Sequence, residues 1–460
     1  MLDPSPGLPR QWSLRAIWLW AIALALPLIA VPIADAAEPT DTVGVVDAES
    51  GRWFLRNPDS GATTSFYFGN PGDVPFAGDW DCDGVDTPGL YRPADGYVYL
   101  RNSNTQGIAD IDFYFGDPGD LPLPGDFNGD GCDTVSLYRP SNGRFYVINR
   151  LGSGATGLGS ADSSFTFGDK GDAPFVGDFN GDGIDTMGLH RQSSGLVFLR
   201  YTNTTGTADA QFVYGNPGDR IVAGKWSGHE SAGNDVVGTF RPATASFYLN
   251  DANRAGVART KIPYGKPGFA PVAGDFGDLP DSGFSPPPYI PGVTVLGREA
   301  WGAAPANTAL MSTHMMTSLT VHHAGDQESS TGPPRFRTWQ HWHTDRGWGD
   351  LAYHYIIGVD GTVYQARDTR YKGDTGTNYD TAGHFLVVVE GNFEIEHPTA
   401  AQLDSLVRVL AWAAEEFDVS PSTIGGHRDY AATACPGENL HPYIESGGLE
   451  ADVRSAMVGS

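Results

Sequence analysis

The chain has 460 residues, with 29 Lys and Arg against 55 Asp and Glu, a formal charge of -26. Nothing in so acidic a chain would replace phosphate counterions, which argues against a nucleic-acid binder and points to carboxylates used on cations. A 40% hydrophobic share excludes a disordered chain, and 60 Gly with 33 Pro favour turns and short strands over long helices.

The N-terminus carries Arg10 and Arg15, then an apolar run from Ala16 to Ala34 that ends in Ala34-Asp35-Ala36. This is the layout of a secretory signal over residues 1–36 with an A-x-A cleavage site. An uncleaved membrane anchor is the alternative, because the run is long for a signal. Either way the rest of the chain lies outside the cytoplasm, where disulfides persist. After cleavage no membrane segment is expected.

Residues 40–280 carry an internal repeat. "AGDWDCDGVDTPGLYRP", "PGDFNGDGCDTVSLYRP" and "VGDFNGDGIDTMGLHRQ" begin at Ala77, Pro124 and Val176, and weaker copies begin at Ala223 and Ala273. The anchors Asp79, Asp126, Asp178, Lys225 and Asp275 lie 47 to 52 residues apart. Between them sit alternating stretches such as "GYVYLR" and "DFYFGDPGD", with "RWFLR" and "SFYFGNPGD" ahead of the first anchor. Each unit holds about four short strands, so five units predict a five-bladed, all-β propeller. A sandwich of hairpins is the competing arrangement.

Three units place oxygens at alternate loop positions around a glycine. These are Asp79/Asp81/Asp83/Asp86, Asp126/Asn128/Asp130/Asp133 and Asp178/Asn180/Asp182/Asp185. Hard cations want several oxygens on one tight loop, so the pattern predicts structural Ca²⁺, up to three ions. Asx turns capping the blade corners without a metal are the alternative. The loops resemble the Asp-rich loops of FG-GAP propeller repeats. Cys82 and Cys132 lie in neighbouring units, and a disulfide stapling adjacent blades would use both. Cys435 is then the odd thiol.

"DSGFSPPPYIPG", residues 281–292, reads as a stiff linker. From Val293 to the C-terminus the texture becomes α/β. "SLTVHH" and "YHYIIGV" read as strands, the second turning at Asp360-Gly361, and "HFLVVVE" as a buried strand. Phe336, Trp339 and His343 share one face of a helix that stops at Gly347. A second helix runs through "TAAQLDSLVRVLAWAAEEF", with Thr399 as N-cap and Gln402 as its reciprocal partner. Leu403, Leu406, Leu410 and Phe417 follow at helical spacing.

His322 and His323 point to opposite faces of their strand, so one of them faces a given pocket. His427 and Cys435 are separated by seven residues. Two histidines and one cysteine suit Zn²⁺ and leave its fourth position open, the arrangement of a catalytic rather than a structural site. A zinc-bound thiolate would also be held out of disulfide exchange.

"REAWGAAPA", "LTVHHAG", "HTDRGWGDLAYHYIIGVDGTVYQAR" and "GGHRDYAATACPG" occur in that order from Arg298. Together they resemble the N-acetylmuramoyl-L-alanine amidase type 2 family, which includes peptidoglycan recognition proteins and T7-type phage lysozymes. The resemblance covers residues 293–460. It implies a mixed central sheet flanked by helices, one catalytic zinc on His322, His427 and Cys435, and cleavage of the bond between N-acetylmuramic acid and L-alanine. Tyr353 matches the family's catalytic tyrosine, and Thr433 a position that is lysine in the phage enzymes and threonine in many recognition proteins. His323, His343 and His354 are expected to pack and orient, and Glu390 does not match the family's acidic residue. Arg346 and Trp348 are candidates to line a glycan groove. Relatives carry "AH...N..SIGI" where this chain has "GDTGTNYDTAGHFLVVV", from Gly373. The implied protein is a secreted, bacterial, wall-directed hydrolase whose propeller holds peptidoglycan, other wall glycans or surface proteins. A recognition or adhesion protein without turnover is the alternative.

Overall fold

The structure, a computed structural model, describes residues 41–458 apart from 59, 155–156, 227–232, 282–284 and 327–329. The signal or anchor expected over residues 1–36, and part of the expected linker, lie outside the described residues. Among the described residues no helix is long and apolar enough to cross a membrane.

Five four-stranded antiparallel sheets form a ring in the first half of the chain. The first four blades are continuous in sequence. Blade one, for instance, runs Val74–Gly78, Thr87–Arg92, Tyr97–Leu100 and Ile111–Tyr114. The fifth is composite. Its innermost strand, Ala270–Gly274, pairs antiparallel with Thr42–Asp47 from the other end of the repeat region, and Arg52–Arg56 and Thr63–Tyr67 complete it. Pairing first with last closes the ring with no exposed inner edge. The five-unit expectation therefore holds, with the units before the first anchor supplying three strands of the closing blade.

The repeat motifs have structural reasons. In four blades the Asp of the "GD" before the inner strand pairs with the Arg that ends the second strand. These pairs are Arg92–Asp73 at 2.8 Å, Arg139–Asp120 at 2.7 Å, Arg191–Asp172 at 2.7 Å and Arg241–Asp219 at 2.9 Å. The ring at each anchor is a plug: Trp80, Phe127, Phe179, Trp226 and Phe276 are buried. The Asp that ends each loop sews neighbouring blades together. Asp133 accepts the Asp79 N–H at 2.9 Å, Asp185 that of Asp126 at 2.8 Å and Asp235 that of Asp178 at 2.8 Å. Asp41 accepts from Lys225 and Asp86 from Asp275, both at 2.7 Å. Each of these aspartates returns its own backbone N–H to the anchor carbonyl. The seam thus repeats five times around the ring.

The second half holds a six-stranded mixed sheet in the order Val295–Leu296, Val363–Gln365, Tyr355–Ile357, His384–Val389, Ser318–His323, Ile424–Gly426. His384–Val389 is central and its residues from Phe385 on are fully buried, as an apolar run between two covered faces requires. Helix α1, Pro333–Asp345, buries Phe336 and Trp339 against one face with Trp301 and Ile356. Helix α2, Ala400–Glu416, buries Leu406, Val409 and Leu410 against the other with Phe385 and Val387. The expected capping box is present: Thr399 Oγ1 accepts the Gln402 N–H, and Gln402 Oε1 accepts the Thr399 N–H. Between the halves, Arg52 of the fifth blade pairs with Glu299 at 2.8 Å, and Arg370 pairs with Asp281 at the start of the linker at 2.8 Å.

Candidate metal centre

The strands Ser318–His323 and Ile424–Gly426 run parallel, with Val321 opposite Gly426. Register alone therefore brings the next residues, His322 and His427, side by side at one end of the sheet. Their rings lie 4.6 Å apart. The chain then loops, Arg428 N–H donating to the Cys435 carbonyl at 2.8 Å, and returns Cys435 Sγ to 3.6 Å from His322 Nδ1. One potential ligand atom from each of His322, His427 and Cys435 lies within 4.8 Å of the others.

The electrostatics suit a cation. Burial holds His322 well below its ordinary pKa, helped by the charge His427 would carry. Burial takes His427 down to about 4. Both imidazoles are neutral at pH 7, as a metal requires. Burial pushes the Cys435 thiol up to about 12, so without a cation it is a protonated, inert thiol. The His323 backbone N–H points at Cys435 Sγ from 3.4 Å, a donor suited to thiolate. Two neutral nitrogens and one sulfur converging on one point fit zinc's donor chemistry, which would leave one tetrahedral position open.

Tyr353 lies over this centre, its ring 5.0 Å from His322 and 6.0 Å from His343. Burial, then the Cys435 sulfur, keeps its phenol protonated far above the usual range. Thr433 is half-buried, and its Oγ1 accepts the Cys435 N–H at 3.3 Å, so it also shapes the turn that presents the sulfur.

The neighbouring histidines are engaged elsewhere. His323 Nδ1 accepts the Phe393 N–H at 3.1 Å. His343 Nδ1 accepts from Ala352 N at 3.1 Å, and the ring lies 4.7 Å from Trp348. Both nitrogens of His354 are used, on Leu386 N and the Tyr371 carbonyl. Glu390 is buried, accepting the Gly332 N–H at 2.8 Å near Arg335.

Two residues escaped the sequence reading. Thr377 Oγ1 is 2.9 Å from His427 Nε2, and the Tyr379 ring is 5.1 Å from His427. Both come from the stretch that departs from the relatives' pattern. Its departure was the one available signal.

In the propeller, one carboxylate oxygen each from Asp79, Asp81 and Asp83 lies within 4.8 Å of the others. Asp86 is not part of that group. Its carboxylate, like those of Asp133 and Asp185, takes part in the blade seam. The first carboxylate of each loop collects backbone donors. Asp126 accepts from Gly129 and Gly131, Asp178 from Gly181 and Gly183, and Asp79 from Asp83 and Gly84. Asn128 and Asn180 donate to Asp130 and Asp182. Asx turns add to them: Asp126 Oδ1 accepts the Asn128 N–H, and Asp83, Asp130 and Asp182 accept from Val85, Cys132 and Ile184. Cys82 and Cys132 form a disulfide between blades one and two.

The profile of the family described as N-acetylmuramoyl-L-alanine amidase matches residues 312–438, a span that contains all three converging residues with Tyr353 and Thr433. The chain is 31% identical over 160 residues to peptidoglycan-recognition protein SD of Drosophila simulans, covering 33% of this chain and 85% of that protein. It is 29% identical over 154 residues to peptidoglycan-recognition protein SC2 of Drosophila melanogaster, covering 32% and 83%. A human N-acetylmuramoyl-L-alanine amidase is 30% identical over 162 residues, covering 32% and 27%. Among solved structures it is similar to the amidase LysC from Clostridium intestinale, with 24% identity over 36% of this chain and 98% of that one and a TM-score of 0.30. A shared profile over the residues that build the site, with the two recognition proteins matched over most of their length, gives one conclusion: through its C-terminal domain this chain belongs to the family of N-acetylmuramoyl-L-alanine amidases and peptidoglycan recognition proteins.

Proposed function

We propose that the protein is a secreted, zinc-dependent peptidoglycan hydrolase that cleaves the amide between N-acetylmuramic acid and the L-alanine of the stem peptide. The observation that carries the reading is the convergence of His322, His427 and Cys435 on one buried point. A zinc held there supplies Lewis acidity towards the amide carbonyl and a water of lowered pKa.

The chain's own residues do the rest. Two neutral histidines and the sulfur hold the metal. Tyr353, its proton retained by burial, stays a hydrogen-bond donor at neutral pH and would meet charge developing on the carbonyl oxygen. Thr433 holds the Cys435 turn and carries a second hydroxyl beside it. Arg346 and Trp348, 5.7 Å from guanidinium to ring centroid, offer a flat face for a glycan. The propeller, on this reading, binds the wall or a surface protein, with calcium on the Asp79/Asp81/Asp83 loop and its two counterparts. EGTA should then lower the melting temperature, and indifference to EGTA counts against the calcium.

Recognition without turnover is the second reading, favoured by the recognition proteins among the relatives. Peptidoglycan digestion by wild type and Cys435→Ala, with products read by mass spectrometry and zinc counted, separates the two. Stem peptides released by wild type alone, with zinc lost in the variant, support the hydrolase. Zinc-loaded wild type that releases nothing supports recognition.

A further inference from the structure

A histidine that ligates a metal must present one bare ring nitrogen, and which one is bare depends on what holds the proton of the other. His427 Nε2 lies 2.9 Å from Thr377 Oγ1. Thr377 Oγ1 lies 2.7 Å from Thr375 Oγ1, which accepts the Thr377 N–H at 3.1 Å. Two runs of protons fit these contacts, one from Thr375 O–H through Thr377 O–H to His427 Nε2, the other from His427 Nε2–H to Thr377 Oγ1 and on to Thr375 Oγ1; with Nε2 turned to Thr377, a metal on His427 selects the second. It leaves His427 Nδ1 bare. The ring plane is fixed as well. Tyr379 packs 5.1 Å from His427 and stacks on Tyr430 at 5.7 Å. The Tyr379 hydroxyl is buried with no hydrogen-bond partner among the described residues, so its part here is packing. His322 differs: its Nε2 is buried without a hydrogen-bond partner among the described residues.

We propose that Thr377, backed by Thr375, is the positioning residue that fixes His427 as the Nε2–H tautomer and leaves Nδ1 as the metal ligand. The inference rests on the zinc reading above, which selects the second run, and the tautomer it names is read in the metal-free chain. The stretch that departs from the relatives' pattern thereby acquires a role in holding the centre.

The test uses the full chain, metal-free and ¹⁵N-labelled, with zinc affinity measured by chelator competition. Long-range ¹H–¹⁵N spectra should show His427 as Nε2–H in wild type. Thr377→Val, equal in shape but without the hydroxyl, should populate Nδ1–H and bind zinc about 10- to 100-fold more weakly. Thr377→Ser should restore both. Thr375→Val is the independent variant, because it frees the Thr377 proton to point at Nε2, and it too should shift the tautomer. A His427 tautomer unchanged in both valine variants, with wild-type zinc affinity, overturns the proposal. If Cys435→Ala binds zinc as tightly as wild type, the metal reading fails instead, and the tautomer result still decides the role of Thr377.

Discussion

Cys435 shows how one residue's chemistry depends on its surroundings. Its thiol is held near 12 by burial, while His427 is held near 4 and His322 low by the same cause. Between about pH 5 and 9 the free site therefore carries one proton, on sulfur, which a bound zinc must displace. Zinc affinity should rise about tenfold per pH unit across that window, with about one proton released per ion. Calorimetry in buffers of different ionisation enthalpy reads this directly, and a pH-independent affinity would contradict the assignment. Tyr353→Phe keeps the ring that packs on His322 but removes the donor. Zinc content should be unchanged, and kcat on peptidoglycan should fall about 100- to 1,000-fold.

At the scale of elements, the two halves stand on different local devices. Helix α2 begins at a reciprocal cap, and Thr399→Ala should cost about 1 kcal/mol of stability in urea unfolding. The first propeller loop relies on its disulfide. Cys82 sits at φ 66°, the left-handed conformation taken by Gly129 in the next loop, where φ is 75°. A residue with a Cβ is disfavoured there. The bond to Cys132, 50 residues away, constrains the unfolded chain, and Cys132→Ser should lower stability by about 2–4 kcal/mol. The cap and the turn were legible because they act over a few residues, and the disulfide because its two cysteines lie in the loops of neighbouring repeats. The partner of each loop-ending Asp was not, because it lies in another blade.

The whole ring adds an electrostatic property that no single blade has. Asp41, Asp86, Asp133, Asp185 and Asp235 face one another around the seam beside the carboxylates of Asp79, Asp126, Asp178 and Asp275, with Lys225 as a cation beside Asp41 and Asp235. Burial, then mutual repulsion, raises all five, and Asp133 and Asp235 reach about 7. Folded aspartates so raised hold protons that the unfolded chain has released above about pH 4. Stability should therefore fall as pH rises from about 4 through about 7. Asp133→Asn keeps the acceptor for Asp79 N–H but removes a charge. It should raise the melting temperature at pH 8 and flatten its pH dependence, and an unchanged profile in a pH series would contradict this.

The sequence by itself determined the blade count, the cap on α2 and the family of the C-terminal domain. Each is written in periodic or contiguous residues, and short-range sterics and hydrogen bonds translate such patterns without reference to the rest of the molecule. It also nominated His322, His427 and Cys435, through motifs that resemble those of the family. Only the tertiary structure decided that Thr42–Asp47 closes the ring on Ala270–Gly274, because strand pairing between chain ends leaves no local mark. Only it decided that Asp86, Asp133 and Asp185 reach across the seam, and that Thr377 meets His427 across 50 residues. A hydrogen bond needs two groups within about 3 Å, and for groups far apart in the chain that distance is set by how sheets pack.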